Sequence, residues 1–315
     1  MFGRVFAIAM NTYREAVRAR VLFGLLAAAL AASTYSLVIA SMSIRQEMRI
    51  VADIGSGSIS AFAVLVAIIL GATSLYRELE LKTVFPILTR QLRRHEYVLG
   101  KYLGILAVLV AFVAIDGAAV LAIIALQSGQ GVPLTLGVLG ALSVALGVGL
   151  WRAKLSRVFL VLPWSIIAFA AMAVLASGAG AERQIVIVSA VLTVAEIAII
   201  TAVATLFASF SSPFLTAVFT LMIFLIGRSA DTLANLPARL FGGGAFGNGV
   251  RSGGIFLAKV VPNLNLYVPS RSVLLGQIPT MTLPRYLAGA WANAILYTVV
   301  LLVLSALIFR KRDFQ

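Results

Sequence analysis

Apolar runs of about twenty residues recur along this chain between short polar breaks, a rhythm that predicts membrane-spanning helices. The first run covers about residues 21–40. A polar stretch at roughly 41–58, holding Arg45, Glu47, Arg49, Asp53 and Gly55-Ser56-Gly57-Ser58, reads as a short flexible loop before a second run at 59–76. A third, at about 102–127, ends in the turn signal Gln127-Ser128-Gly129-Gln130-Gly131. Further spans are predicted at 134–150 and 158–177. From Ile185 to Gly227 the chain is almost wholly apolar, and one helix of that length would measure roughly 64 Å against a hydrocarbon core of ~30 Å. It must fold back, and Ser209-Phe210-Ser211-Ser212-Pro213 is the place, giving spans at 185–208 and 213–228. The last span is about 286–309. The pattern predicts an all-α polytopic membrane protein of about eight transmembrane helices, a single domain over 1–315.

Three polar stretches change that picture. In residues 2–20, Val5, Phe6, Ala9, Met10, Tyr13 and Val17 fall on one helical stripe, with Arg4, Asn11, Arg14, Glu15 and Arg18 opposite. Such a helix lies in the membrane interface with its arginines near anionic lipid headgroups. Ala29-Leu30-Ala31 resembles a signal cleavage site, but the apolar run continues past it and the charged segment is regularly amphipathic, which favours the interfacial helix. Residues 77–101, RELELKTVFPILTRQLRRHEYVLGK, carry nine charged residues in a chain only 11% charged. Thr83 can cap a helix that tolerates Pro86 in its first turn, with Val84, Phe85, Leu88 and Leu92 close to one face. By residues alone this is either a solvated connection or an amphipathic element that presses on another protein. Residues 229–285 form the longest polar segment, glycine-rich at 241–254 and broken at Pro262, Asn263, Pro269, Pro279 and Pro284. They predict short helices lying on or dipping into the outer surface. The Gly242-Gly243-Gly244 run has no adjacent helix start and reads as a flexible loop.

Composition agrees: 61% of the 315 residues are hydrophobic, against about 45–50% apolar in soluble domains. The net charge of +14 sits mainly beside the apolar runs, so it signals orientation and not nucleic-acid binding. Sixteen of the 25 Lys and Arg residues fall on one set of connections, which predicts both termini in the cytoplasm of a bacterial-type inner membrane. With no cysteine and one histidine (His95), neither a metal site nor a cofactor is implied. No phosphate-loop motif is present, so the chain is not itself an ATPase. Asp116 and Glu196 are the acids placed well inside spans. Each is a candidate substrate contact or proton site, or a protonated or paired acid that fixes packing, and neither has an obvious cationic partner in the sequence. Small residues at Gly117-Ala118-Ala119 favour close helix packing. Trp151, Trp164 and Trp291 read as interfacial anchors.

The segments RVFAIAMNTYREAVRARVLFGLL, RELELKTVFPILTRQLRRHEYVLGKYLG, LFASFSSPFLTAVFTLMIFLIGRSADTL, VVPNLNLYVPSRSVL and LIFRKRDF follow one another along the chain. In that order they resemble the membrane permeases of type-2 ATP-binding-cassette exporters, over the first 127 and the last 130 or so residues. Two departures stand out. The family's Gly-Thr is Lys82-Thr83 here and a proline common after Leu-x-Arg is Gln91. Residues 133–180 also look like a helical hairpin added to the usual six spans. The resemblance implies that 77–101 is a coupling helix docked on a separate cytoplasmic ATPase, with Glu78, Glu80, Lys82, Thr83 and Arg90 as docking or shaping residues. It implies that 1–20 is an elbow helix, that 229–285 forms part of an extracellular gate, and that a second permease copy or a paralogue completes the pathway. A membrane-embedded assembly or regulatory subunit that moves no conventional solute is the alternative. A secondary transporter using Asp116 and Glu196 is a third. The substrate is not legible in the residues.

Overall fold

A computed structural model describes residues 2–80, 94–129, 132–153, 157–235, 249, 252–256, 260–277 and 281–311. Among these the regular structure is helical, with no strand. The long helices are α1 (Phe2–Val17), α2 (Arg20–Ser41), α3 (Glu47–Glu80), α4 (Arg94–Gln127) and α5 (Val132–Arg152). After a 3-10 turn at Arg157–Leu160 come α6 (Val161–Leu175), a second 3-10 turn at Ala176–Ala179, and α7 (Ala181–Ala208). Then follow α8 (Pro213–Arg228), the short α9 (Ala230–Ala234), a 3-10 turn at Leu264–Tyr267, α10 (Arg271–Leu274) and α11 (Leu283–Lys311).

Among the described residues seven helices, with Arg157–Ala179 counted as one continuous span through its 3-10 ends, are long and apolar enough to cross a membrane, which makes this a multi-pass helical membrane protein. The predicted seventh span, α8, falls short. Its 16 residues rise only about 24 Å, less than the ~30 Å hydrocarbon layer. The chain then continues through residues 260–274, which fold over the end of α8.

The core is α3, α4 and α7, packed on one another, with α2, α6 and α11 outside them. Hydrocarbon supplies no hydrophobic drive between helices, so close packing must come from small residues. Gly71 of α3 meets Ala204 of α7, and a Cβ on Gly55 would come within 2.6 Å of Val120 on α4. A Cβ on Gly117 would lie 2.7 Å from the Phe169 ring of α6, as its small-residue neighbourhood predicts. Of the two helices between α4 and α7, α6 packs on α4 and buries Ser165, Ala168 and Met172, while α5 is peripheral. α5 buries only Thr135, and Trp164 of α6 is tied to it by a 2.9 Å hydrogen bond to the Leu142 carbonyl, so this tryptophan joins two helices. Trp291 packs partly buried against the core, while Trp151 is exposed.

Several boundaries move. The stretch expected as a loop at 41–58 is helical from Glu47 onward, and Gly55 and Ser58 in it are contact residues of α3. α4 begins at Arg94 and not near 102, so Arg77–Glu80 is the last turn of α3 and 94–101 is the start of α4. Glu78 and Glu80 lie in that last turn. Lys82, Thr83, Arg90 and the predicted cap and helix between them lie outside the described residues, as does the Gly242–Gly244 run. His95 is half-buried in the first turn of α4.

α1 is the expected helix, but the face it packs is rotated from the apolar stripe. Thr12 and Ala16 are buried along with Tyr13, the one fully buried member of the stripe, while Phe6 is 64% exposed. The cause is Gly100 and Gly104, one turn apart on α4, whose bare backbone admits the small side of α1. A Cβ on Gly104 would stand 2.6 Å from the Ala9 carbonyl oxygen and from Thr12 Cβ. Lys101, 3% exposed, closes the contact with Glu15 at 3.6 Å. Tyr97 near the start of α4 stacks on Phe309 near the end of α11, so α1, the start of α4 and the end of α11 share one end of the bundle.

Gly104→Val should push α1 off α4. We expect a loss of about 1–3 kcal/mol in detergent-solubilised unfolding and faster tryptic cleavage at Arg14 and Arg18. Unchanged unfolding and cleavage would mean that α1 is not held by this contact.

Candidate polar seam and outer cavity

The polar residues of the spans gather on two faces of α3. Asp53, Ser56 and Ser60 recur at helical spacing on one face, and Ile185, Ser189 and Thr193 do so on the facing side of α7. With Phe224 and Arg228 of α8 and residues 267–274 above, they enclose a cavity of about 280 Å3.

The inner wall of this seam is an ion pair. Glu196, near the middle of α7, is fully buried. Its Oε1 lies 3.2 Å from Nη2 of Arg228, and its Oε2 accepts a 3.1 Å hydrogen bond from the Ser60 hydroxyl. Ser60 in turn accepts from Arg228 at 2.9 Å. The guanidinium also lies over the Phe224 ring, 5.6 Å from its centroid. Glu196 therefore does have a cationic partner. It was hidden in the sequence because Arg228 sits 32 residues on and ends the apolar run that reads as a seventh span. Pairing makes burial of the carboxylate tolerable, since an isolated charge at this depth would cost several kcal/mol.

The outer wall is a second set of charges. Arg271 of α10 donates to Asp53 at 2.7 Å and to Glu182 at the start of α7, while Arg49 approaches Asp53 at 3.8 Å. This ties the segment after α9 to both α3 and α7. The same segment is held from three other sides. Asp231 of α9 accepts from the side-chain amides of Asn263 and Asn265 at 2.7 and 2.6 Å. Gly227 leaves room for Leu264, whose side chain would stand 2.8 Å from a Cβ there. Tyr267 is buried and donates toward the Ala290 carbonyl and Asn293 Oδ1 of α11, at 3.2 and 3.1 Å. Burial first, and then the negative charge of Glu196, push the Tyr267 hydroxyl pKa up, so it stays a donor. Residues 260–274 are thus a plug that dips into the bundle above α8.

The opposite face of α3 carries the second predicted acid. Asp116 of α4 is fully buried, and its Oδ1 accepts a 2.9 Å hydrogen bond from Ser33 of α2. Ser33 lies 3.0 Å from Ser58, whose hydroxyl also reaches the Gly55 carbonyl at 3.0 Å. Asp116 and Glu196 are therefore in separate places, one joining α2, α3 and α4, the other joining α3, α7 and α8. Among the described residues no cation pairs with Asp116, and no group of three or more potential metal ligands occurs.

Neither the Asp53–Arg271–Glu182 link nor Ser56 and Ser60 was singled out from the sequence. The available signal was the spacing Asp53, Ser56, Ser60, which marks one side of a helix and argues against a flexible loop. No protein-family model matches this chain, and no curated protein is significantly similar to it.

Arg228→Met should leave Glu196 buried and unpaired, at a cost of about 3–5 kcal/mol in solubilised unfolding. Adding Glu196→Gln should recover most of that loss. Equal destabilisation of the single and double variants would show that the pair is not what holds α8.

Proposed function

We propose that this chain is the permease subunit of an ATP-binding-cassette exporter in a bacterial-type cytoplasmic membrane. A separate ATPase would dock on residues 77–101, and a second copy or a paralogue would complete the pathway. The observation that carries this reading, beside the resemblance, is the continuity of α3. Its 34 residues, about 51 Å long, have Glu78 and Glu80 in the last turn and Asp53, Ser56 and Ser60 toward the first. A push on the end of α3 beside the ATPase would move Asp53 relative to Arg271 and Ser60 relative to Glu196, because a packed helix shifts as a body. In this reading the plug at 260–274 is the outer gate and the Arg271 link its latch. Glu78, Glu80, Lys82, Thr83 and Arg90 contact the ATPase or shape the element that does, and the extra hairpin stays outside the moving core.

A secondary transporter is the second reading. It is favoured by α8, which ends beside a buried acid near the middle of α7, a pattern found where helices break around a coupling site. It predicts activity with no ATPase present.

Glu78→Lys/Glu80→Lys should cut co-purification of the cognate ATPase at least tenfold while the protein keeps its elution profile and unfolding midpoint. If no ATPase accompanies the intact protein in detergent or in nanodiscs, the exporter reading falls. Transport by the purified chain alone would then establish the second.

A further inference from the structure

Beside the contact of α1 with α4 lies an open groove of about 830 Å3, apart from the polar seam. Phe6 and Met10 of α1, Leu103 and Ala107 of α4, and Leu162 of α6 wall it with hydrocarbon. Tyr13 stacks on Phe159 within it, ring centroids 5.9 Å apart. Phe6 and Met10 are not what docks α1, which packs through Thr12, Tyr13 and Ala16. Phe6 and Leu103 stay 64% and 44% exposed. α1 docks on α4 through its small side, which leaves this surface open.

Charge surrounds the groove on one side. Phe6, Met10 and Arg14 follow at four-residue spacing along α1, with Arg18 one step beyond its end, so the apolar ridge that walls the groove runs on into exposed arginines. Arg157, also exposed, opens the turn that carries Phe159. The acid of this stretch, Glu15, is engaged with Lys101.

We propose that the groove is a binding site for an anionic glycerophospholipid, one acyl chain lying between α1 and α4 and the phosphate group meeting Arg14 and Arg18. Charge complementarity selects this occupant. A second copy docked face to face would bring the same arginines together. A zwitterionic lipid would fill the hydrocarbon groove but carry no net charge for the cationic rim. Arginine forks match phosphate oxygens two at a time, which gives the headgroup a defined seat. The site deepens the placement of α1 at the membrane boundary, and its test needs no ATPase, so its failure leaves the exporter reading standing.

Native mass spectrometry of the detergent-purified full chain, titrated with phosphatidylglycerol or phosphatidylcholine of identical acyl chains, tests the site. Phosphatidylglycerol should bind at least tenfold more tightly at one site. Arg14→Gln/Arg18→Gln, on an exposed surface, should bring the two lipids to within about twofold. Leu103→Trp should lower occupancy by both. Equal retention of the two lipids by the native protein would overturn the proposal, as would an unchanged preference in the double glutamine variant. A photo-crosslinker at position 6 that captures a second copy or residues 81–93 in place of lipid would overturn it too.

Discussion

A charge buried in a membrane-spanning bundle must find its partner inside that bundle, and the pair Arg228–Glu196 is where this chain meets the requirement. α8 is too short to cross and ends with an arginine against the middle of α7. Without Glu196 the helix end would leave a part-buried cation with no ionic partner at the floor of the cavity. Without Arg228 the carboxylate would be stranded in the most buried helix of the fold. Ser60 completes both and adds α3 to the pair. Three helices are thus tied by one guanidinium. The depth left above it is filled by a plug whose own polar groups are answered by Asp231, Arg271 and α11.

Around that pair the bundle is assembled from small residues. Gly71 against Ala204, Gly55 near Val120 and Gly117 under Phe169 let the core helices approach closely enough for hydroxyls and carboxylates to reach across. α3 uses both of its faces in this way. Gly55 and Ser58 turn toward α2 and α4, while Asp53, Ser56 and Ser60 turn toward α7 and the plug. A helix that touches every layer of the core cannot move without moving its neighbours. That is the mechanical reason an exporter reading centres on it.

The two ends of the bundle differ in kind. At one, α1 is seated by backbone contact on Gly100 and Gly104 and leaves a hydrocarbon groove with a basic edge. At the other, charges on three segments close over a small polar cavity. The first arrangement suits lipid, the second a contact that can be broken and remade, since Arg271 is shared between two acids and remains partly open to solvent.

The approximate positions of the long apolar helices were legible in the chain, because roughly twenty apolar residues in a row have one low-energy arrangement in hydrocarbon. So were Asp116 and Glu196 as unusual acids, and the fold-back at Ser209–Pro213. Hydropathy could not see that Gly55-Ser56-Gly57-Ser58 belongs to a helix, since the same residues that loosen a loop also permit close helix contact. Nor could it tell that α8 stops short, because a 16-residue apolar run looks like a span until the partner of its terminal arginine is known. The pairing of Glu196 with Arg228, of Arg271 with Asp53 and Glu182, and the rotation of α1 onto two glycines are decisions of tertiary structure. They depend on which helices are neighbours, and periodicity within one helix carries no information about the face its neighbour presents.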